Sequence, residues 1–534
     1  MLSPDILTRN IAALTRAQGG CPSLGRLTDT MRVTLSGADL QAEVRTSGDV
    51  WEVIDTPLHP ATEPCWLDDA GISGSRQVMV VGAGLGYVLD RAEHIAGLQK
   101  ILAIEPDPGL ATVLLSRRDL RAWFDDGRLR LLTGPDYRGA TDVARFLDGL
   151  NDIPIVPHPL RARWDADAVA RATSVAGGIA QNARSNGNAR RKFAGPYLLQ
   201  TLTNIPAIAR EADTQLLDQA FAGVPAVVVG AGPSLDENLP ELLAVQDRGV
   251  IIAADTALGP LLSAGIRPHI AVGVDSSALN AQHLTSPSGS HSVMLAAEGS
   301  LHPSVFQQYA GRIFSFRVAE HEPWPWLRRI GLARGELRAW GSVLTSAFDL
   351  ARRMGCNPIV FAGADLAFTG MRPYCRGTIY DAMWQEWVNK GCSLELLMED
   401  YFSRQPEVRC NDIHGRDTRS APQLMSFRDW LVEQIAATAG TTTFINGTGA
   451  GILHGRGLRQ STLHDALVGC PPLPAIRETL RRRHGASRSS GAERRRLKTA
   501  LAQGRASLKN LPVDRWIEFT GSTITPEDIS AALR

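Results

Sequence analysis

Three carboxylates that follow apolar runs, together with one glycine-rich turn, are the groups of this chain best suited to do chemistry. Asp255 closes GVIIAAD, Asp275 closes HIAVGVD and Asp365 closes PIVFAGAD. Each stands where a buried strand gives way to a loop, which is where open α/β sheets gather ligands. The turn is GAGPSL, which follows the run AVVV at 226–229. Gly230 and Gly232 are expected to give close backbone approach and positive φ, Pro233 to fix φ at a helix start, and Ser234 to add a hydroxyl beside free amides. Such a turn suits a phosphate, the more so with a helix dipole behind it, and Gly232→Val is expected to block it. Thr256, Ser276 and Gly363 adjoin the three aspartates, and Ser342 in WGSVLTSAF is expected at a further helix start. Asp255, Thr256 and Asp275 would read ribose and base, or one carboxylate would take a proton from an incoming hydroxyl. Asp365 is expected to activate an acceptor or to order a loop. His414, in NDIHGRD, is the nearest downstream imidazole with an intrinsic pKa suited to a general base.

Holding these groups together takes a parallel sheet. The fold class expected is α/β, with two Rossmann-like parallel-sheet domains, a helical linker and a C-terminal helical appendage. The divisions are a mixed segment at 1–70, a Rossmann-like domain at 71–160, a linker at 161–220, a central nucleotide-sugar-binding domain at 221–455 and a helical region at 456–534. The first domain shows VMVVGAGLGYVLDRA and then KILAIEPD, a strand, glycine turn and helix followed by a strand ending in Glu105. That spacing resembles S-adenosylmethionine methyltransferases more than the GxGxxG of nicotinamide enzymes. No methyltransferase catalytic motif follows, so the domain is expected to be structural. The linker is expected to break at Gly187 and Gly195.

Composition bounds the partners. The chain has 534 residues, 44% of them hydrophobic, and a formal net charge of +1, so no global field draws it to nucleic acid or membrane. Seven cysteines form no CxxC pair, and an odd number argues against a complete disulfide framework. The N-terminus lacks the apolar core of a signal peptide, and no run nears about twenty apolar residues. A cytoplasmic protein without a membrane span is the expectation. Arg481–Arg483 and Arg494–Arg496 would steer an acidic partner.

In order along the chain, GAGPSLDENLPEL, AADTALGPLLSAGIRPHIAVGVD, GSVLTSAFDLARRMGCNPIVFAGADLAF and INGTGAGILHG resemble the bacterial motility-associated factor proteins, the flagellin glycosyltransferases. The resemblance implies a central fold similar to CMP-sialic-acid-dependent sialyltransferases. It also implies transfer of a nonulosonic sugar, such as pseudaminic or legionaminic acid, from a CMP-sugar to flagellin Ser or Thr, with no tightly bound cofactor and no metal. The central domain also looks like the archaeal-type 6-hydroxymethylpterin diphosphokinase, which shares the GxGPSL and AD(T/S)A elements. In that alternative the carboxylates would hold Mg²⁺ on ATP phosphates. The glycosyltransferase family usually has a His shortly after its GxDLA(F/Y) element. Here TGMRPYCRGTIYD places Tyr374 and Cys375 instead, the one sequence hint of a noncatalytic nucleotide-binding protein.

Overall fold

The computed structural model describes the chain except positions 1, 19–22, 37–38, 47–49, 56–71, 73, 319–320, 405, 474 and 487–490, and except the side chains of 190, 491–494 and 505. The chain divides into two compact units, 1–190 and 191–534. Among the described residues no helix is long and apolar enough to cross a membrane. Cys356, Cys375, Cys392, Cys410 and Cys470 are free thiols, while Cys21 and Cys65 lie outside the described residues.

In the first unit, β1 (Met31–Ser36), β2 (Asp39–Arg45) and β3 (Trp51–Asp55) form an antiparallel sheet. The strands β4 (Gln77–Val81), β5 (Lys100–Glu105), β6 (Leu129–Thr133) and β7 (Ile155–Pro157) form a parallel sheet in the order β6-β5-β4-β7. Every residue of β4 is buried, as a continuous apolar run in a parallel sheet requires.

One 43-residue helix, Ala166–Ile208, begins in the first unit and ends in the second. The breaks expected at Gly187 and Gly195 are absent, and both glycines lie inside the helix for a packing reason. A Cβ on Gly187 would approach the Gly149 carbonyl carbon to 2.8 Å, and one on Gly195 would meet Ile524 Cγ2 at 3.0 Å. Small residues here let other chain segments come close. The cost of roughly 1 kcal/mol per helical glycine is accepted for that contact.

The second unit is built on a nine-stranded parallel sheet. Its strands are β8 (Ala212–Asp213), β9 (Ala226–Val229), β10 (Val250–Ala254), β11 (Ile270–Gly273), β12 (Met294–Glu298), β13 (Ile313–Phe316), β14 (Ile359–Ala362), β17 (Phe444–Asn446) and β18 (Leu458–Gln460). A separate antiparallel hairpin, β15 (Val408–Asn411) and β16 (Asp417–Ser420), interrupts the numbering. The order is β18-β17-β14-β9-β10-β11-β12-β13-β8. The chain runs outward from β9 through β10 to β13, then returns to place β14 on the other flank of β9. The succession therefore reverses between β9 and β14, and doubly wound sheets open a ligand crevice at such a point.

The region beyond residue 470 is more than an appendage to this sheet. Leu497, Leu511, Trp516, Ile524, Ile529 and Leu533 share one apolar core with Leu295 of β12 and Ile313 of β13. Trp516 is fully buried, its ring 5.3 Å from Trp326 at 82°, and its indole donates to Glu322 Oε2 at 2.9 Å. Of the two basic runs, Arg481, Arg482, Arg495 and Arg496 are exposed, while the side chain of Arg494 lies outside the described residues.

Candidate functional site

A crevice of about 490 Å³ opens at the carboxyl ends of β9, β10, β11 and β14, at the reversal point. Asp255, Asp275 and Asp365 all line it, with Gly230, Gly232, Thr256, Ser342 and Gly363. Pro233, Ser234 and Ser276 are buried beside it and do not line it.

The turn after β9 differs from a phosphate loop in what fills it. Neither Gly230 nor Gly232 has positive φ; the left-handed residues are Gly363 and Leu366, at φ +57 and +50 in the turn after β14. The two glycines are needed because the turns after β9 and β14 interlock. A Cβ on Gly230 would meet Gly363 O at 2.6 Å, and one on Gly232 would meet the same oxygen at 2.8 Å and run into the Asp365 carboxylate. Ser234 Oγ donates to Asp365 Oδ2 at 2.6 Å, and Ser234 N donates to Oδ1 at 3.2 Å. The group at the start of helix Leu235–Val245 is thus the protein's own carboxyl. Gly232→Val therefore reports on the packing of the two turns, not on phosphate approach.

The later glycine-rich stretch locks the same turn. Thr448 Oγ1 accepts from Ala364 N at 3.1 Å, Asp365 O accepts from Ile452 N at 2.8 Å, and a Cβ on Gly451 would strike the Asp365 backbone. Burial pushes the Asp365 carboxyl upward, against the pull of Ser234. Of its two expected roles, the geometry favours ordering the loop.

Asp255 is placed differently. It opens helix Asp255–Ser263, and its Oδ1 accepts from Thr256 N at 2.7 Å and from Thr256 Oγ1 at 3.1 Å. Oδ2 accepts from Asn280 Nδ2 at 2.8 Å. Asn280 is brought there by the next helix, Ala278–Thr285, whose cap Ser277 accepts from Asn280 N at 3.1 Å. Asp275 is exposed and steadies the same turn by accepting from Ser277 N at 2.7 Å. Burial is the main cause that raises the Asp255 carboxyl to about 7, with the nearby charge of Asp275 adding to it. A carboxyl poised near neutrality on a crevice wall is equipped to exchange a proton with a ligand.

Unspent donors lie at a second helix start. Ser342 caps helix Val343–Arg353, its Oγ accepting from Leu344 N at 3.3 Å. The amides of Gly341, Ser342 and Val343 make no hydrogen bond among the described residues. Gly341 has φ +75, and a Cβ there would meet Phe427 Cε1 at 2.7 Å, so only glycine allows this turn.

His414 is not brought to the crevice. It is exposed in the turn between β15 and β16, where Nε2 lies 3.0 Å from Gly449 O. Four tyrosines stand on the walls in its stead: Tyr197, Tyr374, Tyr380 and Tyr401, out of seven in the whole chain. Tyr374 stacks on Tyr380 with ring centroids 4.9 Å apart at 17°. Burial raises all four phenols, Tyr197 to about 12, so they serve as O–H donors and apolar walls and not as bases. Cys375, next to Tyr374, points into the core and is fully buried. The concentration of a scarce residue type in one site was the available sequence signal for these tyrosines.

The first unit's glycine turn is also filled from within. Gly82, Gly84 and Gly86 have φ of +82, +54 and +87. Asp55, at the end of β3, accepts from Leu85 N, and a Cβ on Gly84 would run into its carboxylate. Glu105 accepts from Gly84 N at 2.7 Å, from Asp107 N at 2.9 Å and from Arg161 Nη2 at 3.0 Å. Glu105 and Arg161 are both buried, so this carboxylate is matched to an internal partner and not held out to a ribose. Titration of S-adenosylmethionine into the protein should give no binding heat. A binding isotherm that Glu105→Ala abolishes would overturn this.

Comparison with known proteins gives three results. Residues 199–371 match the family model described as 6-hydroxymethylpterin diphosphokinase MptE-like. An uncharacterized protein of Treponema pallidum (strain Nichols) is 30% identical over a 138-residue alignment that covers 23% of this chain and 34% of that protein. The matched region thus spans about a third of the relative's length. The solved structure of a Maf glycosyltransferase from Magnetospirillum magneticum AMB-1 aligns with 100% of this chain and 90% of that one, at 16% identity and a TM-score of 0.49.

Proposed function

We propose that the chain is a glycosyltransferase that moves a nonulosonic, sialic-acid-like sugar from a CMP-activated donor to a Ser or Thr hydroxyl of flagellin. The observation that carries this reading is the pairing, in one crevice, of a carboxyl held near neutrality with a helix start whose amides are unspent. The acceptor oxygen forms a bond to the anomeric carbon as the bond from that carbon to the donor phosphate oxygen breaks. Its proton passes to Asp255. The leaving electron pair stays on the CMP phosphate, which the amides of Gly341, Ser342 and Val343 receive. Asp275 and Thr256 are left to meet the ribose or base, and the tyrosine hydroxyls to orient the sugar.

Charge favours this donor over the alternative. None of the described residues that line the crevice is Lys, Arg or His, and three are aspartates. A CMP-nonulosonate brings one singly charged phosphodiester, which neutral amides satisfy, and one sugar carboxylate, which tyrosine hydroxyls and amides would have to meet. An ATP triphosphate would add several negative charges and would need cations carried in with it. The likeness of residues 199–371 to the diphosphokinase family supports that second reading. Strict Mg²⁺ dependence with ATP turnover would install it.

The test is titration of CMP and ATP against the protein, followed by incubation with a CMP-nonulosonate and unmodified flagellin under mass spectrometry. CMP binding and a flagellin mass gain of one sugar are expected. CMP binding without any mass gain would leave only a noncatalytic binder. Gly341→Val supplies a sharper check, since a branched residue at positive φ costs about 1–3 kcal/mol and displaces the amides. CMP affinity should fall at least about tenfold in the folded variant. Unchanged affinity would move the phosphate elsewhere.

A further inference from the structure

A second cavity, of about 250 Å³, adjoins the crevice and shares Tyr380 and Tyr401 with it. Its other walls are Met383, Trp384, Trp387 and Leu397, from the consecutive helices Ile379–Asn389 and Leu394–Ser403. The first of these helices buries none of its described residues, although its sequence is IYDAMWQEWVN. Met383 is 47% exposed and Trp387 53%, and Leu396 on the second helix is 63% exposed. Large apolar side chains gathered in this way beside the crevice mark a surface that a partner can cover.

The chemistry of the walls selects the occupant. Among the described residues that line the cavity, the charged ones are Asp400 and Arg404, and these pair with each other at 2.7 Å. No unpaired charge among them is left to hold a phosphate, and beyond the two shared tyrosines the walls are two indoles, a thioether and a leucine. They suit a hydrocarbon or aromatic side chain. Because Tyr380 and Tyr401 face both spaces, a group seated here lies within a few residues of whatever sits in the crevice.

We propose that this cavity is the docking subsite for an apolar side chain of the acceptor polypeptide, close in its sequence to the hydroxyl that is modified. The proposal rests on the transferase reading of the crevice. It makes the helix pair 379–403 the element that selects which hydroxyl enters, since an acceptor gains the burial of its neighbouring side chain only when the hydroxyl is presented correctly.

Two fluorescein-labelled nonapeptides test it, each with a central Thr in a Gly/Ser background, one carrying Phe two residues to either side and the other Gly. Anisotropy is read with CMP saturating, and CMP affinity is measured separately by calorimetry. The wild-type protein should bind the Phe peptide about ten to a hundred times more tightly, the ratio expected for burying one such side chain. Trp387→Ser and Met383→Ser, both at exposed positions, should reduce the preference to less than about threefold and leave CMP affinity unchanged. Leu243→Ser, which removes an apolar side chain 45% exposed elsewhere, should keep the preference. Equal binding of the two peptides by a wild-type protein that binds CMP, or a preference that survives both variants, overturns the subsite alone. Failure of the wild-type protein to bind CMP overturns the transferase reading and this role with it.

Discussion

Asp255→Asn should lower transfer to the acceptor by about 10²–10⁴-fold while CMP affinity stays within about twofold, because what is lost is a proton acceptor and not a phosphate contact. The side chain would remain hydrogen-bonded to Thr256 N or Asn280 Nδ2, so the wall keeps its shape. The pH profile distinguishes this from a packing defect. A base must be ionised, so the wild-type rate should climb with pH and reach half its plateau near 7, where burial has brought this carboxyl. Stability runs the other way. The folded pKa lies above the ordinary carboxylate value of 3.8, so the folded chain holds a proton that the unfolded chain has released. The contribution of Asp255 to stability is therefore fully present below about pH 4 and is lost as pH rises through about 7. In urea melts at pH 5 and pH 8 the loss of stability with rising pH should be smaller in Asp255→Asn than in wild type, since one of the buried carboxyls whose pKa is raised is gone. A variant that keeps full activity with an unaltered pH profile would move the base to another residue.

Trp516→Ala should cost about 3–5 kcal/mol, as removal of a fully buried indole does when the walls cannot close on the space. The ring packs edge-on to Trp326 in the same core as Leu295 and Ile313, so the damage reaches the sheet. The buried Glu322 also loses the indole donor, leaving Arg515 Nε at 2.5 Å from the other oxygen as its partner. Trp516→Phe separates the two terms. It restores most of the apolar burial and leaves only the lost hydrogen bond, about 1–3 kcal/mol. Denaturant melts of the two variants give the partition. A Trp516→Ala protein that unfolds at the wild-type midpoint would mean that residues 513–533 are dispensable to the central core.

The strands β9 to β14 were legible because each is a short apolar run that ends in a glycine or a polar residue, as in AVVVG and VIIAAD, whereas β8, β17 and β18 are too short to carry such a signal. Their shared crevice was legible because those endings recur in one parallel sheet. The difference between Asp255 and Asp365 was not. Both read as Asp after an apolar run and both line the crevice, and only the fold reveals that one is locked onto Ser234 while burial brings the other to a pKa near neutrality. Gly187 and Gly195 misled for a related reason: glycine marks either a break or a close approach, and the neighbours that demand closeness, Gly149 and Ile524, lie far away in sequence. His414 has the right side chain in a turn that faces elsewhere. The aromatic walls come from positions 197 and 368–427, which no local periodicity connects.

The sharing of one core by β12, β13 and residues 497–533 also sets a schedule for synthesis. The first unit's sheet is complete within residues 77–157, so it has all its strands while most of the chain is still unmade. The second unit cannot seal until Trp516, Ile529 and Leu533 have left the ribosome. At about 5–20 residues per second, its strands are kept waiting for on the order of tens of seconds. During that time the faces of β11, β12 and β13 that carry Ala271, Leu295, Ala297 and Ile313 stand partly uncovered. The nascent second unit is therefore the stage at which this chain depends most on chaperones, and slowing translation after residue 316 should lower its soluble yield more than the same delay placed before residue 191.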